Sequence, residues 1–366
     1  MRIGIATLAH DNDNYGGTFQ AVALQHYLQQ QGHEAVLLNT DHVKVVPWLR
    51  SCKELFNHPI RKIQENRRHN TFVPFWEKVY VFDPEGHRSF EAFPAGVKDY
   101  DAVICGSDQV WHPQYLSQSA ARNFFMLNFG DEHLRRIAYA ASLGSDTFPE
   151  EALAEIQACL QRFTAIGLRE SAAIPEVERL GCQATWVCDP TLLHDATFWR
   201  GFMTEALPYS AEKTLVQLTY RWKTACSVEQ VRAYFEQEKH LRTVIPFSHK
   251  PIHNFHRTQP LTPPQWLKAI DAASFVLTNS YHGMLFAIQF RRPFAVVPLA
   301  GRYTGMNARI RAVVERLGLS ERMLTADTPA EIERCIAAPI DWDDVATRLN
   351  AWRAQSVDFL TQALNA

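Results

Sequence analysis

The chain lacks the marks of several large protein classes. Its seven cysteines, at positions 52, 105, 159, 182, 188, 226 and 335, are odd in number and never form a Cys-x-x-Cys pair. Scattered thiols of this kind argue for a reducing compartment and against a disulfide framework or a zinc site. An excess of one charge is missing too: 37 basic and 39 acidic residues leave a net charge of -2, which gives nucleic acid no bulk electrostatic attraction. No stretch approaches the roughly 20 apolar residues that a membrane-crossing helix requires. The apolar opening, residues 3–8, is too short for a secretory leader and runs directly into His10 and Asp11. A cytoplasmic protein is expected, at most peripheral to the inner face of a membrane. The dinucleotide fingerprint G-x-G-x-x-G is absent, as are internal repeats and low-complexity segments.

What remains is a soluble globular composition, 46% apolar and 21% charged, in 366 residues, a length that suits two domains. Short β-branched runs alternate with helical spacing. Strands are expected at 3–8, 34–39, 101–105, 135–143, 164–168 and 184–188, with helices at 18–31, 149–162 and 172–180. A second series follows, with strands at 215–218, 241–246, 274–278 and 293–298 and helices at 228–238, 264–272 and after Gly283. These imply an α/β fold of two Rossmann-like domains, residues 1–190 and 191–340, and a last long helix over 341–366 that packs back on the first. Residues 42–98 are less regular and rich in Lys44, Arg50, Lys53, Arg61, Lys62, Arg67 and Arg68. Two readings stay open for them: a solvated insertion with one packed helix, or a basic amphipathic surface for anionic lipid. His249, His253 and His256 read as a loop rather than a metal site, because no acid or cysteine completes the set.

Chemistry concentrates where strands are expected to end. The stretch Thr278-Asn279-Ser280-Tyr281-His282-Gly283 puts an imidazole at a strand-to-helix junction, where ligands of open α/β sheets bind. The next strand delivers Gly301-Arg302 to the same edge. Gly106-Ser107-Asp108-Gln109-Val110-Trp111 crowds a hydroxyl, a carboxylate, an amide and an indole onto one strand exit. Asp108 as a helix cap and Trp111 as a core plug are the structural alternatives there. Arg169-Glu170-Ser171 places a guanidinium at another exit, suited either to an anion or to pairing with Glu170. Gly16-Gly17 at the first helix start leaves room for a ligand to approach the backbone.

Five stretches together resemble the polysaccharide pyruvyl transferases: Asn14-Tyr15-Gly16-Gly17-Thr18-Phe19-Gln20-Ala21, Gly106 to Trp111, Leu168-Arg169-Glu170, Asp189-Pro190-Thr191-Leu192-Leu193, and Asn279 to Gly283. Arg309-Ile310 and the following Val313-Val314-Glu315-Arg316-Leu317-Gly318-Leu319 extend the likeness. The resemblance implies a GT-B-like fold, two Rossmann-like domains facing a cleft with the C-terminal helix crossing back. It also implies transfer of pyruvate from phosphoenolpyruvate to two hydroxyls of a glycan or lipid-linked saccharide, giving a cyclic ketal. The family's essential basic residues match Arg169, His282 and Arg302. On this reading His282 is the general acid, and Arg169 and Arg302 clamp the donor with Asn279, Ser280 and the N–H groups near Gly283. Asp108 positions or deprotonates the acceptor, which Tyr15, Gly16, Gly17, Gln109 and Trp111 line, and neither metal nor cofactor is required. Asn279 stands where many members have Asp, Tyr281 where many have Phe, and His112 where many have Asn. The alternatives are a nucleotide-sugar glycosyltransferase on the same fold and a non-catalytic glycan-binding member.

Overall fold

The computed structural model describes residues 1–9, 13–38, 59–84, 100–220, 223–246 and 257–366, with backbone alone at 59–65, 67 and 302. The three-histidine loop and the ends of the 42–98 region lie outside these residues. The chain forms two compact units, Met1–Leu193 with Ser356–Ala366, and His194–Gln355.

The first unit is built on six parallel strands, β1 (Arg2–Ala6), β2 (Glu34–Leu37), β3 (Ala102–Cys105), β4 (Arg135–Ala141), β5 (Ala165–Leu168) and β6 (Thr185–Trp186), in the order β2-β1-β3-β4-β5-β6. Ile3 faces Ala35 on one side and Ala102 on the other. The strands read as unbroken apolar runs because helices cover both faces of a parallel sheet. After β2 the chain returns past β1 to lay down β3, so the strand order reverses between β1 and β3.

Helix α1 (Tyr15–Gln30) links β1 to β2. It starts three residues earlier than the periodicity predicts, because Asn14 caps it: its Oδ1 accepts from the N–H groups of Gly16 (3.0 Å) and Gly17 (3.4 Å). Helix α2 (Pro59–Val79) returns the chain to β3 and packs an aromatic face on α1. Phe72 lies 4.8 Å from Tyr15, Phe75 lies 5.8 Å from Phe19, and the Trp76 indole donates to Thr18 Oγ1 at 3.1 Å. The described part of the 42–98 region thus contains a crossover helix packed on α1, and the side chains of Lys44, Arg50, Lys53, Arg61, Lys62 and Arg67 lie outside the described residues. Helices α3 (Ser119–Phe125), α4 (Leu153–Leu160) and α5 (Ile174–Glu178) complete the crossovers.

One buried cation shapes the turn into β4. The Arg136 guanidinium donates to the carbonyls of Leu127, Phe129, Gly130, Asp131 and Leu134, wrapping the 127–134 segment around itself. Arg136→Met keeps the stem and removes every donor. The expected cost is about 2–3 kcal/mol, since some of these carbonyls can turn to water. A urea midpoint equal to the wild type's would show that the turn does not depend on it.

The second unit has four parallel strands, β7 (Thr214–Leu218), β8 (Arg242–Val244), β9 (Phe275–Thr278) and β10 (Phe294–Val296), ordered β10-β9-β7-β8. Its order reverses between β7 and β9. Helices α6 (Val228–Gln237), α7 (Pro263–Ala272) and α8 (Tyr281–Gln289) cross between strands, and α9 (Asn307–Arg316) and α10 (Pro329–Ala337) follow. Leu215, Val231, Phe235, Phe275, Leu277 and Ala295 form a core under this sheet. The last helix, α11 (Trp342–Asn365), belongs to the first unit from Ser356 onward. There Ser356 Oγ accepts from the Cys188 N–H at 2.9 Å, and Phe359 occupies the space that Gly167 leaves open. A Cβ at Gly167 would stand 2.8 Å from that ring, so β5 needs glycine at this point.

Candidate active site

In the second unit the junction between β9 and α8 is assembled from local hydrogen bonds. Ser280 caps α8, its Oγ accepting from the Gly283 N–H at 3.3 Å. Thr278 Oγ1 donates to Leu218 O (2.9 Å) and accepts from the Ser280 N–H (2.9 Å). A Cβ on Gly283 would lie 2.8 Å from Thr278 Oγ1 and 2.9 Å from Leu218 Cδ1. Gly283 therefore seats the helix on the ends of β7 and β9, and its N–H serves the cap rather than the donor expected from the sequence. His282 follows in the first turn of α8, where this unit's strand order reverses, buried at 8% exposure with the Tyr281 ring edge-on at 5.4 Å.

Asn279, expected to bind the donor, spends its amide on the backbone of Tyr220. Its Oδ1 accepts from Tyr220 N (2.7 Å) and its Nδ2 donates to Tyr220 O (3.3 Å). This two-way bond ties the exit of β7 to that of β9, and a carboxylate could make only the accepting half. Asn279→Asp is expected to lower stability by about 1–3 kcal/mol, read as a fall in melting temperature; an unchanged value would mean that the tie is dispensable. Asn307 does the same for Leu299, with 2.9 Å in each direction.

Basic groups gather on this edge. Ala300 N donates to Lys223 O (2.7 Å) and Ala225 N to Pro298 O (2.8 Å), which lays the Lys223 segment beside the turn Gly301–Met306 that carries Arg302. The Arg302 side chain lies outside the described residues. Arg309 Cζ sits 5.7 Å from the Tyr281 ring centroid. Arg309 was visible in the sequence as part of a motif; Lys223 stands in none.

In the first unit the reversal between β1 and β3 carries a continuous chain of hydrogen bonds. Gln20 Nε2 donates to Gly17 O and to Thr7 Oγ1, both at 2.9 Å, and Thr7 Oγ1 donates to Ser107 O at 2.8 Å. Ser107 Oγ donates to Asp189 Oδ2 (2.8 Å), and Asp189 Oδ1 accepts from the N–H (3.0 Å) and hydroxyl (2.7 Å) of Thr191. Arg169 Nη1 reaches Ser107 Oγ at 3.3 Å and Asp189 Oδ2 at 3.5 Å. Asp108 and Glu170 stand 4.0 and 3.9 Å from the same guanidinium. Glu170 Oε1 in turn accepts from Ser142 Oγ, Leu143 N and Gly144 N, joining β4 to β5.

Asp108 has a left-handed backbone, φ 83°, and so does Ala140 at φ 57°. The two exits are bridged: Ser142 N donates to Asp108 O at 3.1 Å, just after a register shift between Ala138 and Ala141. Non-glycine residues held in this region store strain and mark functional sites more often than ordinary turns. The Asp108 carboxylate accepts from Gln109 N at 2.8 Å and keeps 15% of its side chain exposed. Burial, and next the charge of Asp108, push the Tyr115 phenol up from its ordinary value, which places this tyrosine among the carboxylate's neighbours.

Several expectations for this edge need correcting. Trp111 is no platform for a sugar: it is fully buried, donates its indole N–H to Phe125 O at 3.1 Å and packs on Phe148 and Phe163. Arg169, expected to clamp an anion, is 1% exposed and faces three carboxylates, so it organises the strand exits from within. Tyr15, Gly16 and Gly17 are buried in the first turn of α1, whose glycine N–H groups Asn14 already caps. Asp108 is not a helix cap. Gln109 lies against Gly144, where a Cβ would meet its amide at 2.6 Å. The pairing of Arg169 with Glu170 was one of the two alternatives the sequence offered, whereas the bonds from Ser107 and Arg169 to Asp189 were not foreseen, although the Asp189-Pro190-Thr191 motif offered a signal. Among the described residues no three His, Cys, Asp or Glu side chains gather as a metal ion would need, and no helix is long and apolar enough to cross a membrane.

Comparison with known proteins places these edges in context. A family profile described as polysaccharide pyruvyl transferase matches residues 14–299. No curated protein matches the chain in sequence. Among solved structures, the UDP-GlcNAc 2-epimerase from Methanocaldococcus jannaschii superposes with a TM-score of 0.54 at 10% identity, over 93% of each chain. The UDP-GlcNAc 2-epimerase from Neisseria meningitidis bound to UDP-GlcNAc gives 0.53 at 11% identity, over 99% of this chain and 100% of the other. At such identities the likeness concerns the fold alone, two Rossmann-like α/β units of the GT-B class.

Proposed function

We propose that this chain, which belongs to the polysaccharide pyruvyl transferase family, transfers pyruvate from phosphoenolpyruvate to two hydroxyls of a cell-surface glycan precursor, forming a cyclic ketal. The observation that carries the reading is the placement of His282. It stands in the first turn of α8 at the reversal of the second unit's strand order, on the edge that also bears Lys223, Arg302 and Arg309. Phosphoenolpyruvate presents a phosphate and a carboxylate, and this basic edge supplies the matching charge. His282 donates the proton that the enol carbon takes up. Asp108, on the first unit, accepts the proton of an attacking hydroxyl, and Arg169 and Asp189 hold its loop in place. The basic side chains offset the charge that develops on the departing phosphate.

Thermal unfolding with and without phosphoenolpyruvate tests this directly. A ligand at 100 times its Kd stabilises the folded state by about 2.7 kcal/mol. The expected result is a rise in Tm for the wild type that is lost in Arg302→Ala. Stabilisation by a UDP-sugar, with none by phosphoenolpyruvate, would replace this reading with a nucleotide-sugar enzyme.

A further inference from the structure

We propose that Lys223, which no sequence motif marks, holds the phosphate of phosphoenolpyruvate and offsets the charge of that group as it departs. The inference rests on the pyruvyl-transfer reading and deepens it by assigning one cation to the leaving group. Every residue it uses lies in the second unit.

Lys223 stands on a segment that crosses three strand exits. The chain leaves β7 at Leu218, whose carbonyl accepts from the Asn279 N–H at 3.2 Å. Next, the backbone of Tyr220 is tied in both directions to the Asn279 side chain at the exit of β9, at 2.7 and 3.3 Å. Thr224 then pairs antiparallel with Leu299 beyond the exit of β10. Around that pair the Lys223 carbonyl accepts from Ala300 N (2.7 Å) and Ala225 N donates to Pro298 O (2.8 Å). Thr224 Oγ1 closes the far end on the Cys226 carbonyl at 2.7 Å. The order β10-β9-β7 puts β9 in the middle, so the segment passes from one side of the β9 exit to the other. His282 follows that same exit into α8, and Lys223 falls between the two anchors that straddle it.

The side chain is placed as well as the backbone. Its stem runs along Gly301, where a Cβ would stand 3.6 Å from Lys223 Cδ. Gly301 opens the turn Gly301–Met306 with φ 64°, and the two-way bond between Asn307 and Leu299 fixes the return of that turn. The residue is exposed, and among the described residues no carboxylate pairs with its ammonium. A lysine fixed at its backbone and along its stem, with its charge left to solvent, is prepared for an anion from outside the chain.

Phosphate suits this cation better than carboxylate does. A carboxylate is planar and takes a guanidinium through two parallel bonds, whereas an ammonium is a compact charge with three rotatable donors. The phosphate turns and gains charge as it leaves, and such a donor can follow it. In that step the bond between C2 and the phosphorus-bearing oxygen breaks and the electron pair goes with the phosphate. The second acceptor hydroxyl bonds to C2 through its oxygen, and its proton leaves with the phosphate. Lys223 keeps its own proton throughout.

Titrations of Tm with phosphoenolpyruvate, inorganic phosphate and pyruvate test the assignment, because pyruvate carries the carboxylate alone. Lys223→Met, which keeps the stem on Gly301, is expected to raise Kd for phosphoenolpyruvate and for phosphate about tenfold, the low end for a charged hydrogen bond because the group is exposed. Kd for pyruvate should stay unchanged, and Lys223→Arg should recover most of the loss. Lys223→Gln carries the same expectation should the Met variant not fold. Phosphate release with methyl glycosides offering 3,4- and 4,6-diols should show the same factor in KM for phosphoenolpyruvate and a further fall in kcat. Wild-type affinity for phosphate in either folded variant would overturn the assignment, as would an equal loss of affinity for pyruvate; both outcomes leave the transfer reading intact. A wild-type protein that phosphoenolpyruvate does not stabilise, and that releases no phosphate from it, would instead overturn the transfer reading and the role of Lys223 with it.

Discussion

His282→Ala is expected to lower the transfer rate by about 10²–10⁴-fold, the contribution usual for a positioned proton donor, with the fold retained. The side chain lies in the first turn of α8, but that turn is held by other groups: the Ser280 hydroxyl, the Thr278 hydroxyl and the glycine fit at 283. Removing the imidazole leaves each of these bonds in place. On the proposed reading the loss falls on kcat rather than on KM for phosphoenolpyruvate, because the donor's charges are assigned to the basic residues of that edge and not to the imidazole. His282→Gln, which can still donate a hydrogen bond but cannot exchange a proton at neutral pH, should be nearly as slow. Steady-state phosphate release decides the matter. Activity within threefold of wild type in both variants would move the proton donor elsewhere.

Asp189→Ala should have the largest effect on stability. Asp189 is fully buried and joins Ser107, Thr191 and Arg169. Taking it away leaves a buried guanidinium without its nearest counter-charge, and breaking such a pair from one side costs about 3–5 kcal/mol. Asp189→Asn retains a carbonyl oxygen that can accept from Thr191, so it should cost less. The difference between the two variants separates lost hydrogen bonds from lost charge. Urea unfolding followed by circular dichroism measures both; midpoints equal to the wild type's would mean that Arg169 is balanced by Asp108 and Glu170 alone. Because Ser107 adjoins Asp108, Asp189→Asn should also slow transfer more than its stability loss explains.

Much of the fold was legible because parallel strands buried on both faces read as short apolar runs, and crossover helices read at their own period. β3, β5, β7 and β9 fall within a residue or so of their expected bounds. The start of α1 was also legible and missed: Asn14 is a local cap, yet the glycines after it suggested a loop. His282 could be found from the junction alone, since the change from strand to helix and the cap at Ser280 are both matters of neighbouring residues.

The roles of the other polar residues could not be read in this way. Arg169 meets Ser107 from 62 residues away and Asp189 from 20, and Asn279 meets Tyr220 from 59. A guanidinium or amide at a strand exit carries the same local signal whether it faces a ligand or a carboxylate of its own chain. Trp111 is similar, because its burial depends on aromatic rings brought in by later segments. The α/β class, the strand exits and the chemistry available at them follow from periodicity and adjacent residues, so they can be read along the chain. Which of those groups are spent on one another follows from the fold, because parallel crossovers bring remote segments to one sheet edge and a buried polar group must find its partner there.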